Sequence, residues 1–483
     1  MTEPTADGLR RVAIDPLTRV EGHGKVTLMI DHAGRVVQAR LHIVEFRGFE
    51  KFVQGRPYWE APVMVQRLCG ICPVSHHLAA AKAMDQIVGA HTLTPTAEKV
   101  RRLMHYGQIL QSHALHFFHL ASPDLLFGFD AEPARRNLAG LIAADPELAR
   151  KGIELRRYGQ EVIRITAGKR IHGTGAIPGG VNKNVSREER DELRKDIYRV
   201  LGWCLEAVER VRQLYDRHAR LFDRFGTIAA HQLCLVRADG AMDLYHGGLR
   251  ARTREGRTLF DHVDYGHYWE QIGEEVRPWS YMKFPYLRAL GPQDGWYRVG
   301  PLARVNLCDH IPTPLADHAR RVFLAYGGGS AARATLGTHW ARMIELLHAA
   351  EVIKALLDDP DLQGDELTVR GQPQERGVGV LEAPRGTLIH HYRVNAEGLI
   401  TRCNLIVSTT HNNQAMNETL LAVAREHLDG RELTEGLLNH VEVAIRAYDP
   451  CLSCATHALG QMPLIVELVG PDGAVLGRVQ RDG

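Results

Sequence analysis

The sequence predicts a mainly α protein of the α+β class, with a core of long helices, small peripheral β-sheets, and N- and C-terminal segments converging on a buried metal site. Three observations carry this. Apolar residues recur with a helical period over long stretches that open on capping residues. Alternating strand-like runs are few and short. Two C-x-x-C pairs, Cys69/Cys72 and Cys451/Cys454, lie about 380 residues apart, so sharing one metal brings the two ends of the chain together.

Residues 24–45 read as a β-hairpin, with Lys25–Ile30 and Val36–Val44 flanking a turn at His32-Ala33-Gly34. After Cys72 the pattern turns helical: Pro73 suits a first turn, and an Ala-rich run from His77 to Ala90 follows. A second helix starts at Thr94-Pro95, with Val100, Leu103, Gly107, Leu110, Ala114 and Phe117 on one face. A third starts at Ser186-Arg187-Glu188-Glu189, which has the form of a capping box, and runs to about Phe225. A fourth is expected from about Ala341 to Leu357. Breaks fall at Gly173–Gly180, around Gly247–Gly256, at Gly327–Gly329 and at Gly364–Gly379, none long enough for a domain linker. The expected organisation is one interwoven body over 1–457 and a C-terminal extension over 458–483.

Hydrophobic residues make up 45% of the 483 positions, enough for a sizeable core. Basic and acidic residues number 59 and 57, which gives no electrostatic reason to expect nucleic acid or an anionic membrane as partner. No run approaches the roughly 18 apolar residues of a membrane span, and the N-terminus lacks the apolar core of a secretory signal. Cys204, Cys234, Cys308 and Cys403 are scattered singles that suit a reducing compartment better than a disulfide framework. A soluble, cytoplasmic protein is expected.

Four thiolates favour nickel, zinc, copper(I) or an iron-sulfur centre over hard cations. A four-cysteine zinc site is the plain alternative, but zinc ribbons close within a few dozen residues. A thioredoxin-like redox pair would need only one C-x-x-C. Neither accounts for the flanking residues in Arg67-Leu68-Cys69-Gly70-Ile71-Cys72-Pro73 and Asp449-Pro450-Cys451-Leu452-Ser453-Cys454-Ala455-Thr456-His457.

Those two segments resemble the signatures of nickel-iron hydrogenase large subunits. The resemblance continues through Asp15–His23, Phe46-Arg47-Gly48-Phe49-Glu50 and Ala383-Pro384-Arg385-Gly386, in family order, and is closest to the NAD-reducing soluble (bidirectional) type. It implies that Cys69 and Cys451 are terminal nickel ligands. Cys72 and Cys454 would bridge nickel to an iron carrying cyanide (CN) and carbon monoxide (CO). It further implies that Arg385 hangs over the open nickel position, that Pro384 walls the iron ligands with Asp449 close by, and that His76 hydrogen-bonds a bridging sulfur. Glu50, the Leu405 carbonyl and His457 resemble the ligands of a magnesium ion.

Splitting H2 requires a Lewis-acidic metal and a nearby base. A terminal thiolate such as Cys451 or Arg385 is a candidate for the base, with Glu21 as the first carboxylate beyond it. Where many relatives carry an aspartate in a His-Asp-His run, this chain has Gln111-Ser112-His113.

No nucleotide-binding glycine pattern and no further iron-sulfur spacing are present, so electrons must leave through another protein. The resemblance supplies candidates: an iron-sulfur small subunit, flavin/iron-sulfur diaphorase subunits beyond it, and a maturation endopeptidase that cuts after His457. The tail reads as a strand over Met462–Val469, a turn at Gly470–Gly473 and a second strand. A regulatory H2-sensing large subunit is the alternative, disfavoured because sensor relatives generally lack such a tail. A non-catalytic respiratory-complex subunit lacks the four cysteines.

Overall fold

The computed structural model describes residues 9–458, 464–469 and 475–481. The N-terminal hairpin is present as β2 (Gly24–Ile30) and β3 (Val36–Ile43), and an earlier strand, β1 (Arg10–Ile14), joins it in the antiparallel order β1-β2-β3.

Helix α1 (Pro73–Ile87) opens with Cys72 as its N-cap and Pro73 in the first turn. It stops short of Ala90, where Gly89 adopts a φ of 71° and a Cβ would lie 2.3 Å from the Gln372 carbonyl oxygen. Helix α2 (Pro95–Leu115) is capped by Thr94, whose hydroxyl accepts from the Ala97 amide at 3.2 Å. Phe117, expected within it, falls in a π-helical turn over His116–Ala121. Helix α3 (Pro146–Ala167) was not anticipated, although Asp145 caps it and Gly168 ends it in the left-handed region. It crosses α2 at Gly159 and Gly107, where a Cβ on Gly159 would come within 2.7 Å of the Gly107 carbonyl oxygen.

The capping box at Ser186 and Glu189 forms as expected, but the long third helix is divided: Arg187–Arg194 is separate from α4 (Ile197–Arg224). Helix α5 (Gly337–Leu357) starts a turn earlier than anticipated and is buried on nearly every face. Two further helices, α6 (Asn413–Leu428) and α7 (Glu435–Tyr448), return the chain to the N-terminal half.

Three stretches read as breaks contain strands, the first being Gly173–Gly180, where Ala176–Ile177 pairs with Gly180–Val181. Gly248–Arg252 belongs to a four-stranded sheet with Tyr297–Arg298, His231–Val236 and Thr258–Val263. Further on, β4 (Arg376–Ala383), β5 (Gly386–Val394) and β6 (Ile400–Ile406) form an antiparallel sheet against α1. Gly377 and Gly379 in β4 are contact points: a Cβ on either would lie 1.9 Å from a carbonyl oxygen of α1, at Ala83 and Ala79. The alanine run and the glycines bring helix and strand into direct backbone contact beside the cysteines.

One large apolar cluster joins the N-terminal sheet to the helices, and a second surrounds the four cysteines with side chains from α1, β5 and β6. The tail forms an antiparallel hairpin of β7 (Leu464–Val469) and β8 (Val475–Arg481); its expected turn, with Met462 and Pro463, lies outside the described residues. No helix among the described residues is long and apolar enough to cross a membrane.

Candidate metal centre

The two chain ends meet through backbone. Glu21 and Cys451 form a parallel bridge, and the Leu452 amide donates to the Glu21 carbonyl at 2.9 Å. Gly22, at φ 79°, makes room for this: a Cβ there would stand 2.5 Å from the Ser453 nitrogen. The four sulfurs of Cys69, Cys72, Cys451 and Cys454 consequently lie within 4.8 Å of one another, all buried. Cys69 Sγ is 3.2 Å from Cys451 Sγ, and Cys72 Sγ is 3.8 Å from Cys454 Sγ. Cys451 Sγ and Cys454 Sγ approach to 2.7 Å, so the four sulfurs form one tight cluster.

The first loop is held from several sides. Gln108 and Gln111 both donate to the Ile71 carbonyl, at 2.9 and 2.6 Å, and Arg47 donates to the carbonyls of Leu68 and Arg67 at 2.8 and 3.0 Å. Ser112 has a buried hydroxyl with no partner among the described residues, while His113 reaches Glu345 at 2.9 Å. On the second loop, Thr409 accepts from the Cys451 amide at 2.9 Å.

Burial penalises thiolate throughout, yet Cys69 is pushed well below its ordinary pKa, by the neighbouring thiols of Cys451, Cys454 and Cys72 and by Arg385. Its sulfur also accepts from the amides of Ile71 and Cys72, at 3.2 and 3.3 Å. Cys451 and Cys454 are pushed well up, first by burial and then, for Cys451, by its three sulfur neighbours and, for Cys454, by Cys69 and Cys72 against a lowering contact from Cys451. Four thiolates this close need a multivalent cation between them, and four sulfur donors suit a soft one.

Arg385 is fully buried and donates through Nε and Nη2 to the carbonyl and carboxylate of Asp449, at 2.5 and 3.0 Å. Burial opposes its charge, but Asp449 and the thiols of Cys451, Cys72 and Cys69 outweigh that and raise its pKa well above normal. Arg385 is thereby held as a cation beside the sulfurs. Its Nη1 and Asp449 Oδ2 are buried and unpartnered among the described residues. Asp449 adopts a left-handed φ of 54°, and burial raises its pKa.

Glu21 Oε2 accepts from Cys451 Sγ at 2.9 Å and from the Ser453 amide at 3.3 Å, while Oε1 accepts from the Ser453 hydroxyl. Its pKa is raised, mainly by burial and then by the charge on Cys69. A carboxylate that protonates readily thus touches a ligand-type thiol.

His76 meets His390 at 3.1 Å through Nδ1 instead of a sulfur, and His390 continues to the Tyr392 hydroxyl at 2.8 Å. Burial pushes His76 down to about 4. His457 meets the Cys454 carbonyl at 2.7 Å through Nε2 and leaves Nδ1 buried and unpartnered; burial pushes it down to about 3. Glu50 Oε1 accepts from the Leu405 amide and from Lys283 Nζ, both at 2.8 Å.

Lys283, Ser453, Gln108 and Arg304 escaped the sequence reading. Arg304 is the support beneath Arg385: it pairs with Glu345 at 2.6 Å and Glu382 at 2.8 Å, and donates to the carbonyls of Ala383 and Pro384 at 2.9 and 3.3 Å. Arg342, also buried, donates to the Ala447 carbonyl at 3.1 Å. These residues act through partners distant in the chain, so no local signal marks them.

Residues 47–143 and 242–457 match the family described as nickel-dependent hydrogenase, and residues 11–46 match one described as HoxL-like. The beta subunit of the NAD-reducing hydrogenase HoxS of Cupriavidus necator is 50% identical over 97% of this chain and 99% of that protein. A subunit of the F420-non-reducing hydrogenase of Methanothermobacter thermautotrophicus is 41% identical over 97% of this chain and 100% of that protein. Among solved structures, an NAD+-reducing [NiFe]-hydrogenase in the H2-reduced state superposes with a TM-score of 0.92 at 62% identity, over 93% of this chain and 99% of that one. The Ni-Fe-Se hydrogenase of D. vulgaris Hildenborough gives 0.76 at 25% identity, over 93% and 100%.

Proposed function

The chain belongs to the nickel-dependent hydrogenase family as a large subunit, and from that premise we propose that it catalyses H2 cleavage and formation as the large subunit of an NAD-linked enzyme. The observation that carries this is the approach of Glu21 to Cys451, within a buried set of four sulfurs drawn from both ends of the chain. When bound, a nickel-iron group with cyanide and carbon monoxide on iron supplies the Lewis acid on which H2 is split. Cys69, Cys72, Cys451 and Cys454 would hold it. The division into terminal (Cys69, Cys451) and bridging (Cys72, Cys454) ligands rests on the family resemblance, and the close cluster of the four sulfurs is compatible with it.

The protein's own part is charge and proton handling. Cys451 holds a proton at Sγ and donates it along a 2.9 Å contact to Glu21 Oε2. The raised pKa of Glu21 lets the carboxylate take up a proton more readily than an exposed one would. Arg385, fixed by Asp449, offers its free Nη1 as a positive charge beside the sulfurs. Pro384 and the surrounding apolar cluster exclude water.

Magnesium is assigned to Glu50, the Leu405 carbonyl and His457. The unpartnered His457 Nδ1 supports it, and Glu50, whose Oε1 already bonds Lys283, would offer its other oxygen. The reading further includes an iron-sulfur small subunit that takes the electrons, diaphorase subunits that deliver them to NAD, and a maturation endopeptidase that removes 458–483 from the body over 1–457. It places the enzyme in the cytoplasm, where eight buried cysteines remain thiols.

Metal analysis with infrared spectroscopy of the purified enzyme tests the assignment. Nickel and iron with sharp cyanide and carbonyl bands are expected; zinc alone would overturn it. Intact mass tests the tail, since an active chain that still ends at Gly483 refutes its removal.

A further inference from the structure

Away from the sulfurs, the sheet of β4, β5 and β6 carries an arrangement that ordinary stability does not favour. Arg376 pairs in register with Arg393, and Arg393 with Arg402, so three guanidinium groups stand side by side on one face of three adjacent strands. Like charges placed directly opposite across strands destabilise a sheet. None of the three forms an ion pair among the described residues, and neither does Arg288, which lines the same cavity of about 430 Å³. Arg393, Arg402 and Arg288 are exposed, and Arg376 is half-buried.

The next residues on that face are His391 and Asn404, themselves paired. Trp269 closes one side: it stacks on His391 at 5.4 Å, and Arg376 lies 4.8 Å over a Trp269 ring. The single carboxylate in the lining, Glu274, is turned away to Lys283 at 3.2 Å and Asn404 at 2.9 Å, so it does not neutralise the row. Four arginines thus face one concavity whose one lining carboxylate is bonded to Lys283 and Asn404 and pairs with none of them, and His391 beneath them is pushed down to about 4 by burial and then by Arg376, Arg393 and Arg402.

We propose that this cavity binds the diphosphate group of a small phosphorylated molecule. The planar guanidinium fork matches phosphate oxygens two at a time. Strands about 4.8 Å apart spread the row over roughly 10 Å, a span that two linked phosphates fill better than one. The volume lies within the roughly 300–1,000 Å³ of small-molecule sites. Trp269 is already engaged by His391 and Arg376, so recognition is centred on the phosphates.

Isothermal titration of inorganic pyrophosphate into the assembled enzyme tests this, alongside the Arg393→Ser/Arg402→Ser variant. One site per large subunit is expected, at least tenfold weaker in the variant and weakening as salt rises, with H2 turnover using an artificial dye unchanged by the substitutions. Equal affinity in the variant would overturn the proposal, as would inorganic sulfate competing as well as pyrophosphate. Absence of saturable binding to the assembled enzyme, which is also the result if a partner subunit's carboxylates fill the row, overturns it too.

Discussion

Replacing Arg304 with Met isolates the support under Arg385 without touching a sulfur. Arg304 joins two fully buried carboxylates, Glu345 and Glu382, and fixes the Ala383 and Pro384 carbonyls. Methionine matches its bulk but leaves both carboxylates without their cation. Glu345 keeps His113 at 2.9 Å, and Glu382 keeps Thr387 at 2.7 Å. Breaking a buried ion pair costs about 3–5 kcal/mol, and since these two share one cation the losses are not additive. At about 2.1 cal/mol/K per residue, 483 residues give an unfolding entropy near 1 kcal/mol/K, so Tm should fall by about 3–5 °C. Scanning calorimetry of the metal-loaded enzyme measures this. The triple variant R304M/E345Q/E382Q removes the charges together and should recover at least half of the loss. A Tm for R304M within 1 °C of the parent, or a triple variant no better than R304M, would refute the reasoning.

Glu21→Gln keeps the shape but removes the proton acceptor; H2 oxidation with an artificial dye should fall by about 10²–10⁴-fold, with nickel content unchanged. A loss below threefold would exclude Glu21 from the proton route. Gly22→Ala forces a Cβ to 2.5 Å from the Ser453 nitrogen at φ 79°, so it should lower nickel occupancy on metal analysis; full occupancy contradicts the close approach. Glu50→Gln should abolish one magnesium per chain while nickel is retained, read by elemental analysis. Acid should destabilise the fold through imidazoles away from the centre. His77 and His348 sit near 4 and His105 near 3, each lowered by burial from 6.5. Each is neutral when folded, so the unfolded chain binds protons first; their contribution is complete above pH 6.5 and lost progressively between 6.5 and about 4. Denaturant midpoints that stay flat across that window would count against this.

The sequence made some features legible because their determinants are local. Thr94 with Pro95, and Ser186 with Glu189, are caps whose partners lie three residues away. The C-x-x-C pairs were equally readable, whereas Glu21, Arg385 and Asp449 were expected from the resemblance alone and lie beside the sulfurs. Gly377 and Gly379 misled, since glycine marks a turn and a close helix contact alike, and only the packing of Ala79 and Ala83 decides between them. Lys283 and Arg304 act on residues far along the chain, Glu50 in one case and Glu382 in the other. An isolated Lys or Arg says nothing of such a partner. Helix α3 was missed despite Asp145-Pro146 at its start, because its charged outer face dilutes the apolar stripe.

The joining of the two chain ends also sets an order in time. A ribosome adding roughly 5–20 residues per second makes the second cysteine pair about 20–75 s after the first. Throughout that interval Cys69 and Cys72 exist as a naked dithiol, a ready trap for zinc or an oxidant. Delivery of the right metal therefore has to wait for synthesis to finish, and the young protein needs shielding until then.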